Sequence, residues 1–213
     1  MRLTVAAVGR WKAWGKAGGK AGPERGLFEH YARRITFPFE LKEVEEKKRL
    51  PPAALKKREG ELLLAQAPDT VFLEDLTWTE VREAIDNGTT TIIVPTAGTE
   101  QNGPHMVLGK HKFIINHASN LIARELGNAL VAPVVTYVPE GDVENIRGHL
   151  QYAGTITLPN EYFMKLLEYS ARSLAIHGFT DIVFMGDSGG NQGGMRDVAA
   201  MLNEEWANEP ARV

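Results

Sequence analysis

The chain has 213 residues, 24 Lys and Arg against 27 Asp and Glu, and no cysteine. The lack of cysteine excludes a disulfide scaffold, a thiolate metal site and a Cys nucleophile, and a hydrophobic content of 43% excludes a wholly disordered chain. No apolar run approaches the roughly 18–20 residues of a membrane span, and the stretch after Met1 is too short for a signal-peptide core, so a soluble, cytoplasmic protein is expected. The net charge of −3 is unevenly spread: residues 1–70 hold 15 basic and 9 acidic side chains, residues 71–213 hold 9 and 18. Such a split suggests two segments of different origin. The basic segment could touch nucleic acid, but its charges of both signs are interspersed as on a solvated face, and nucleic acid is not expected as a partner.

In chain order, Leu3 to Val8 reads as a strand ending at Gly9. Residues 10–22, with four glycines, four basic residues and two Trp, read as a loop. Pro23-Glu24-Arg25 opens a helix with the apolar stripe Leu27, Phe28, Tyr31 and Ile35. Phe39 to Val44 alternates as a strand, and a charged helix runs from about Ala53 to Gln66. Pro68-Asp69 marks a junction. Beyond it come a strand or strand edge at Val71–Leu73, a helix capped by Thr77 and Glu80, a β-branched strand at 89–95, and a helix from about Phe113 to Leu126. A strand at Ala129–Val135, a helix at Asn160–His177, a strand at Ile182–Met185 and a helix at Arg196–Trp206 complete the chain. This alternation predicts an α/β fold, a layered sandwich with a mostly parallel sheet, preceded by a small β-α-β-α segment. The expected domains are 1–70 and 71–213.

In an open parallel sheet, ligands bind beyond the carboxyl ends of the strands. Three loops should meet there: Thr99 to His111, Pro139 to His149, and Gly186-Asp187-Ser188-Gly189-Gly190-Asn191. Ser188 stands between a strand end and a Gly-Gly helix opening, where the N–H groups of Gly189 and Gly190 could form an oxyanion hole; a tight turn or a phosphate nest is the plainer reading. Glu100 at a strand end needs a partner. His105 can simply cap a turn after Gly103-Pro104, and His149 in Arg147-Gly148-His149 is a plausible substrate-side residue. His117 reads as packing, and His177 as a helix C-terminal cation.

Two resemblances sharpen this. Met1 to Gly9 and Gly22-Pro23-Glu24-Arg25, with a weaker match at Glu59 to Leu64, resemble the N-terminal part of the ribosomal large-subunit pseudouridine methyltransferases, a SPOUT-type family. The resemblance stops near residue 70, before that family's methyl-donor pocket, so it implies a truncated segment with no cofactor site. Val94-Pro95-Thr96-Ala97-Gly98-Thr99-Glu100-Gln101-Asn102-Gly103-Pro104-His105, Gly154 to Pro159 and Gly186 to Asn191 resemble the creatininase (creatinine amidohydrolase) family. That resemblance implies a layered α/β hydrolase domain, C-terminally short here, an oligomeric assembly and a two-metal site. The family's site uses Glu-x-His, an Asp at the end of the same loop, and a His in the Gly-rich loop.

Residue by residue, Glu100 keeps the first Glu, while Asn102, His111 and Ser188 stand where the family has His, Asp and His; Gly190 stands where some members supply a further carboxylate. Side chains that meet at one metal in the family would here bring together Glu100, His111 and Ser188. We therefore expect a metal-free Ser–His–Glu hydrolase of short acyl esters, with Ser188 as nucleophile, His111 as base and Glu100 as orienter, and no cofactor. Gly189, Gly190, Asn102, His105, His149 and Asp187 would hold the oxyanion or a small ester or amide substrate; creatinine itself is not expected. Two alternatives stay open: an amidohydrolase with one Zn or Mn ion on Glu100, His111, Asp187 and His105, and a non-catalytic binding or assembly protein.

Overall fold

The computed structural model describes residues 3–8, 23–34, 39–64 and 69–213. The Gly/Lys/Trp-rich stretch at 10–22 lies outside them. The chain divides into two compact units, Met1–Asp69 and Thr70–Val213.

In the first unit, β1 (Leu3–Val8) and β2 (Phe39–Val44) pair in parallel, with Leu3 opposite Phe39 and Val8 opposite Val44. Parallel neighbours need a crossover, and α1 (Pro23–Ala32) lies in the connection. A second helix, α2 (Pro52–Leu64), follows. Its Arg58 bridges Glu46 and Glu61 at 3.2 and 2.8 Å, exposed contacts that add little stability.

The second unit is built on a three-stranded parallel sheet in the order β4-β3-β5. Its strands are β3 (Thr91–Thr96), β4 (Ala129–Val131) and β5 (Asp181–Gly186). The central β3 has both faces covered, as its unbroken apolar run predicts. Ile92 and Val94 face a core made with Phe163, Leu167 and Ala171 of α5 (Asn160–His177) and with Val198 and Leu202 of α6 (Gln192–Glu205). Ile93 faces the other way, into a cluster with Val131, Ala129 and Ala123 of α4 (Lys110–Leu126). Period-two alternation in β3 thus sets helices on both sides of the sheet.

Three boundaries differ from the sequence reading. β4 ends at Val131 because Pro133 interrupts the ladder, although Thr96 and Val135 still form a bridge. α4 starts at Lys110, which carries His111 into its first turn and out of the preceding loop. α6 starts at Gln192 and includes Gly194. A Cβ there would lie 3.0 Å from the Phe163 ring and 2.9 Å from Asn160 Oδ1, so close helix packing favours glycine. Val71–Leu73 forms a single bridge, Phe72 to Val131, and then a 3₁₀ turn at Leu73–Asp75.

The helix α3 (Trp78–Asp86) starts at a capping box in which Thr77 and Glu80 exchange side-chain and backbone hydrogen bonds. Thr77→Ala is expected to destabilise the second unit by about 1 kcal/mol, read as a lowered urea midpoint with an unchanged slope; an unchanged midpoint would show that the cap contributes nothing. Among the described residues, no helix is long and apolar enough to cross a membrane.

Candidate active site

Three loops converge at the carboxyl ends of the strands. The first, residues 97–109, leaves β3. The second, residues 139–157, follows β4. The third, Asp187–Asn191, leaves β5. The Gly154–Pro159 stretch ties the first two together: Ile156 N–H donates to Thr99 O at 2.9 Å, Gln101 N–H to Thr155 Oγ1 at 3.2 Å, and Glu140 N–H to Thr157 Oγ1 at 3.0 Å.

Glu100 is the hub. It is 5% exposed, and each of its oxygens reaches an imidazole: Oε1 lies 2.7 Å from His111 Nε2 and Oε2 lies 3.1 Å from His149 Nδ1. His111, also buried, presents its other nitrogen to Asp187, with Nδ1 2.7 Å from Oδ2. A neutral imidazole has a single N–H. Two carboxylates on one ring therefore require a second proton, carried by the ring or by one of the carboxyls. His149 Nδ1 also lies 3.1 Å from Gln101 O and 3.2 Å from Gln101 Nε2.

Glu140 is the second acid of the cleft. One carboxyl oxygen, Oε1, is buried with no hydrogen-bond partner. Burial, then the hydrogen bond and charge of Glu100, push its carboxyl up to about 8, so it holds a proton at neutral pH.

The structure brings Glu100 and His111 together but does not assemble the expected relay. Both His111 nitrogens face carboxylates, leaving none for Ser188, and Ser188 makes no hydrogen bond to His111. Ser188 instead begins the 3₁₀ turn Gly189–Asn191 with extended backbone, and its side chain makes no cap. Asp187, its neighbour, is the residue that reaches the ring.

Asn102 is tied down locally: Nδ2 donates to Glu100 O at 3.0 Å, and Oδ1 accepts from Lys110 Nζ at 2.6 Å. His105 is exposed, beside Gly103, whose φ of +87° makes the turn. Gly190 lies against Pro139, where a Cβ would be 3.4 Å from the carbonyl oxygen. His149 is half-exposed and faces Glu100. The residue missed from sequence is Glu140. Its place between Pro139 and Gly141 carries no signal of its own; its buried Oε1 and the gap at Gly98 arise only in the folded loops.

Carboxylates and imidazoles suit a divalent cation such as Zn or Mn in kind. The partnerless Glu140 oxygen and the crowding of Glu140 on Glu100 mark a cleft short of positive charge. The donors therefore fit a cation chemically. They are not already arranged around one: among the described residues, no three His, Asp or Glu side chains form a group poised to hold a metal ion.

Comparison with known proteins gives two separate matches. Residues near the N-terminus are similar to the ribosomal RNA large subunit methyltransferase H of Rhodospirillum rubrum, 49% identical over 73 residues, covering 34% of this chain and 43% of that protein. The mycofactocin precursor peptide peptidase of Mycobacterium tuberculosis is 32% identical over 126 residues, covering 54% of this chain and 47% of that protein. The chain thus spans less than half the length of either relative. A mutant creatininase solved in a Zn–Zn form superimposes with a TM-score of 0.61 at 23% identity, over 68% of this chain and 57% of that one; this likeness shows the α/β fold. The family profile described as creatinine amidohydrolase matches residues 74–212, and with that match over most of its length the chain belongs to the creatininase family.

Proposed function

We propose that the second unit is a cation-assisted hydrolase of amide bonds, rather than the metal-free serine esterase expected from sequence. The observation that carries this reading is Glu100, a buried carboxylate whose two oxygens reach two imidazoles while a second acid crowds it. The mycofactocin peptidase and the creatininases support it, as relatives named for acting on amide bonds.

Glu100 and His111 would hold the cation; when bound, it would polarise the scissile carbonyl and lower the pKa of a water. The other steps belong to the chain. Asp187 at Nδ1 fixes the His111 ring so that Nε2 faces the cleft. Glu100 and the Gln101 carbonyl hold His149 by Nδ1, which leaves Nε2 at the half-open mouth to pass a proton to the departing amine.

The test is turnover of a panel of small cyclic amides, short peptides and p-nitrophenyl esters by the full chain. Amide hydrolysis is expected to fall to background after EDTA dialysis and to return with Zn or Mn, while Ser188→Ala keeps kcat/KM within about threefold, since only groups that touch the transition state change it strongly. Chelator-resistant turnover abolished by Ser188→Ala would reinstate the serine reading. No turnover by the cation-loaded protein would favour a binding protein.

A further inference from the structure

Resting on that reading, we propose that Glu140 is a direct ligand of the cation, a carboxylate that this chain supplies from its second loop where Asn102, Ser188 and Gly190 supply none.

Three observations converge on this. First, Glu140 Oε1 is buried without a hydrogen-bond partner. Among the described residues no N–H or hydroxyl meets it, and the one close neighbour of its carboxyl is another acid, Glu100; a cation would replace the proton that such a pair must otherwise share. Second, the position is built. Thr157 Oγ1 accepts from Glu140 N–H at 3.0 Å and donates to Gly141 O at 2.9 Å, which fixes the backbone on both sides. On the opposite wall stands Gly98, where a Cβ would lie 2.1 Å from Glu140 Oε1. Gly98 needs no left-handed backbone, so the space its missing side chain leaves is what glycine contributes there. Third, the carboxyl of Glu140 meets Glu100, the hub that also touches His111 and His149. A buried acid, Glu100, facing a half-buried one with a buried oxygen is the arrangement a cation would neutralise.

The nearby positions cannot do this work. The Asn102 amide is spent on Glu100 O and Lys110, Ser188 offers a hydroxyl, and Gly190 offers no side chain. Glu140 therefore restores a carboxylate to the donor set from a different strand end.

The experiment titrates the metal-stripped full chain with Mn²⁺ and with Zn²⁺ by calorimetry, and records the visible spectrum of the Co²⁺-loaded protein. Three proteins are compared: wild type, Glu140→Gln and Gly98→Ala. Glu140→Gln keeps the shape and removes the charge. Gly98→Ala leaves Glu140 intact but fills the space of its Oε1. Wild type is expected to bind a cation, both variants to bind it at least about tenfold more weakly, and both to show an altered Co²⁺ spectrum. If wild type binds but Glu140→Gln matches it within threefold and gives the same spectrum, Glu140 is not a ligand and the amidohydrolase reading stands without it. If wild type binds neither metal, both fail. Melting curves of the metal-free proteins check that the variants fold.

Discussion

Glu100→Gln is expected to lower kcat/KM for amide hydrolysis by about 10²–10³-fold, the scale of losing a group that stabilises charge in the transition state. The substitution is nearly isosteric and acts at one point, but that point joins three contacts. Glu100 Oε1 holds His111 Nε2 at 2.7 Å and Oε2 holds His149 Nδ1 at 3.1 Å. An amide offers one acceptor and one donor where the carboxylate offers two acceptors. One imidazole therefore loses its partner, and the site loses the charge that would bind a cation. The fold is not expected to suffer, because removing the Glu100 charge relieves the crowding on Glu140. Steady-state kinetics with a melting curve separates the two effects. Activity within tenfold of wild type in a well-folded Glu100→Gln protein would remove Glu100 from the centre of the mechanism.

Phe163→Ala is expected to cost about 3–5 kcal/mol. Phe163 is fully buried and packs with Ile92, Val94 and Val198 in the core between sheet and helices. Its ring also lies against Gly194 of α6, so no neighbour can collapse into the space without moving a helix. At about 2–4 °C per kcal/mol for a unit of this size, the melting temperature of the second unit should fall by roughly 10 °C. Phe113→Ala, at a side chain 67% exposed, should change stability by no more than about 0.5 kcal/mol. Denaturant melts of both variants make the comparison, and a loss below about 1 kcal/mol at Phe163 would mean that the core lies elsewhere.

The layered fold is legible in the sequence where one force dominates. The Ile92–Val94 run can only be a strand covered on both faces, Thr77 and Glu80 announce a helix start, and Gly127 and Gly178 end α4 and α5 in the left-handed conformation. Legibility fails where the signal is local and weak. The start of α4 at Lys110 has no side-chain cap at Gly109, so the sequence places the helix at its first large apolar residue, Phe113, and leaves His111 in a loop.

At the site, the meeting of Glu100 and His111 follows from their positions near the two ends of the one loop between β3 and α4. Which of Asp187 and Ser188 reaches His111 does not, because it depends on the bend the chain makes at Asp187 as it leaves β5. A carboxylate at 2.7 Å also outcompetes a hydroxyl for an imidazole N–H. Glu140 is not legible in the sequence for a related reason. Its importance comes from burial and from the missing Cβ of Gly98, both properties of the folded loops and neither a spacing along the chain.

The most direct measurement is anomalous diffraction from crystals of the full chain soaked in Mn²⁺. The expected result is a peak bonded to Glu100 and His111, with Glu140 as a further ligand, in which the direct contact of His111 Nε2 to Glu100 has opened and Asp187 still holds Nδ1. The contradicting result is no peak in the cleft, with His111 still bridging Glu100 and Asp187.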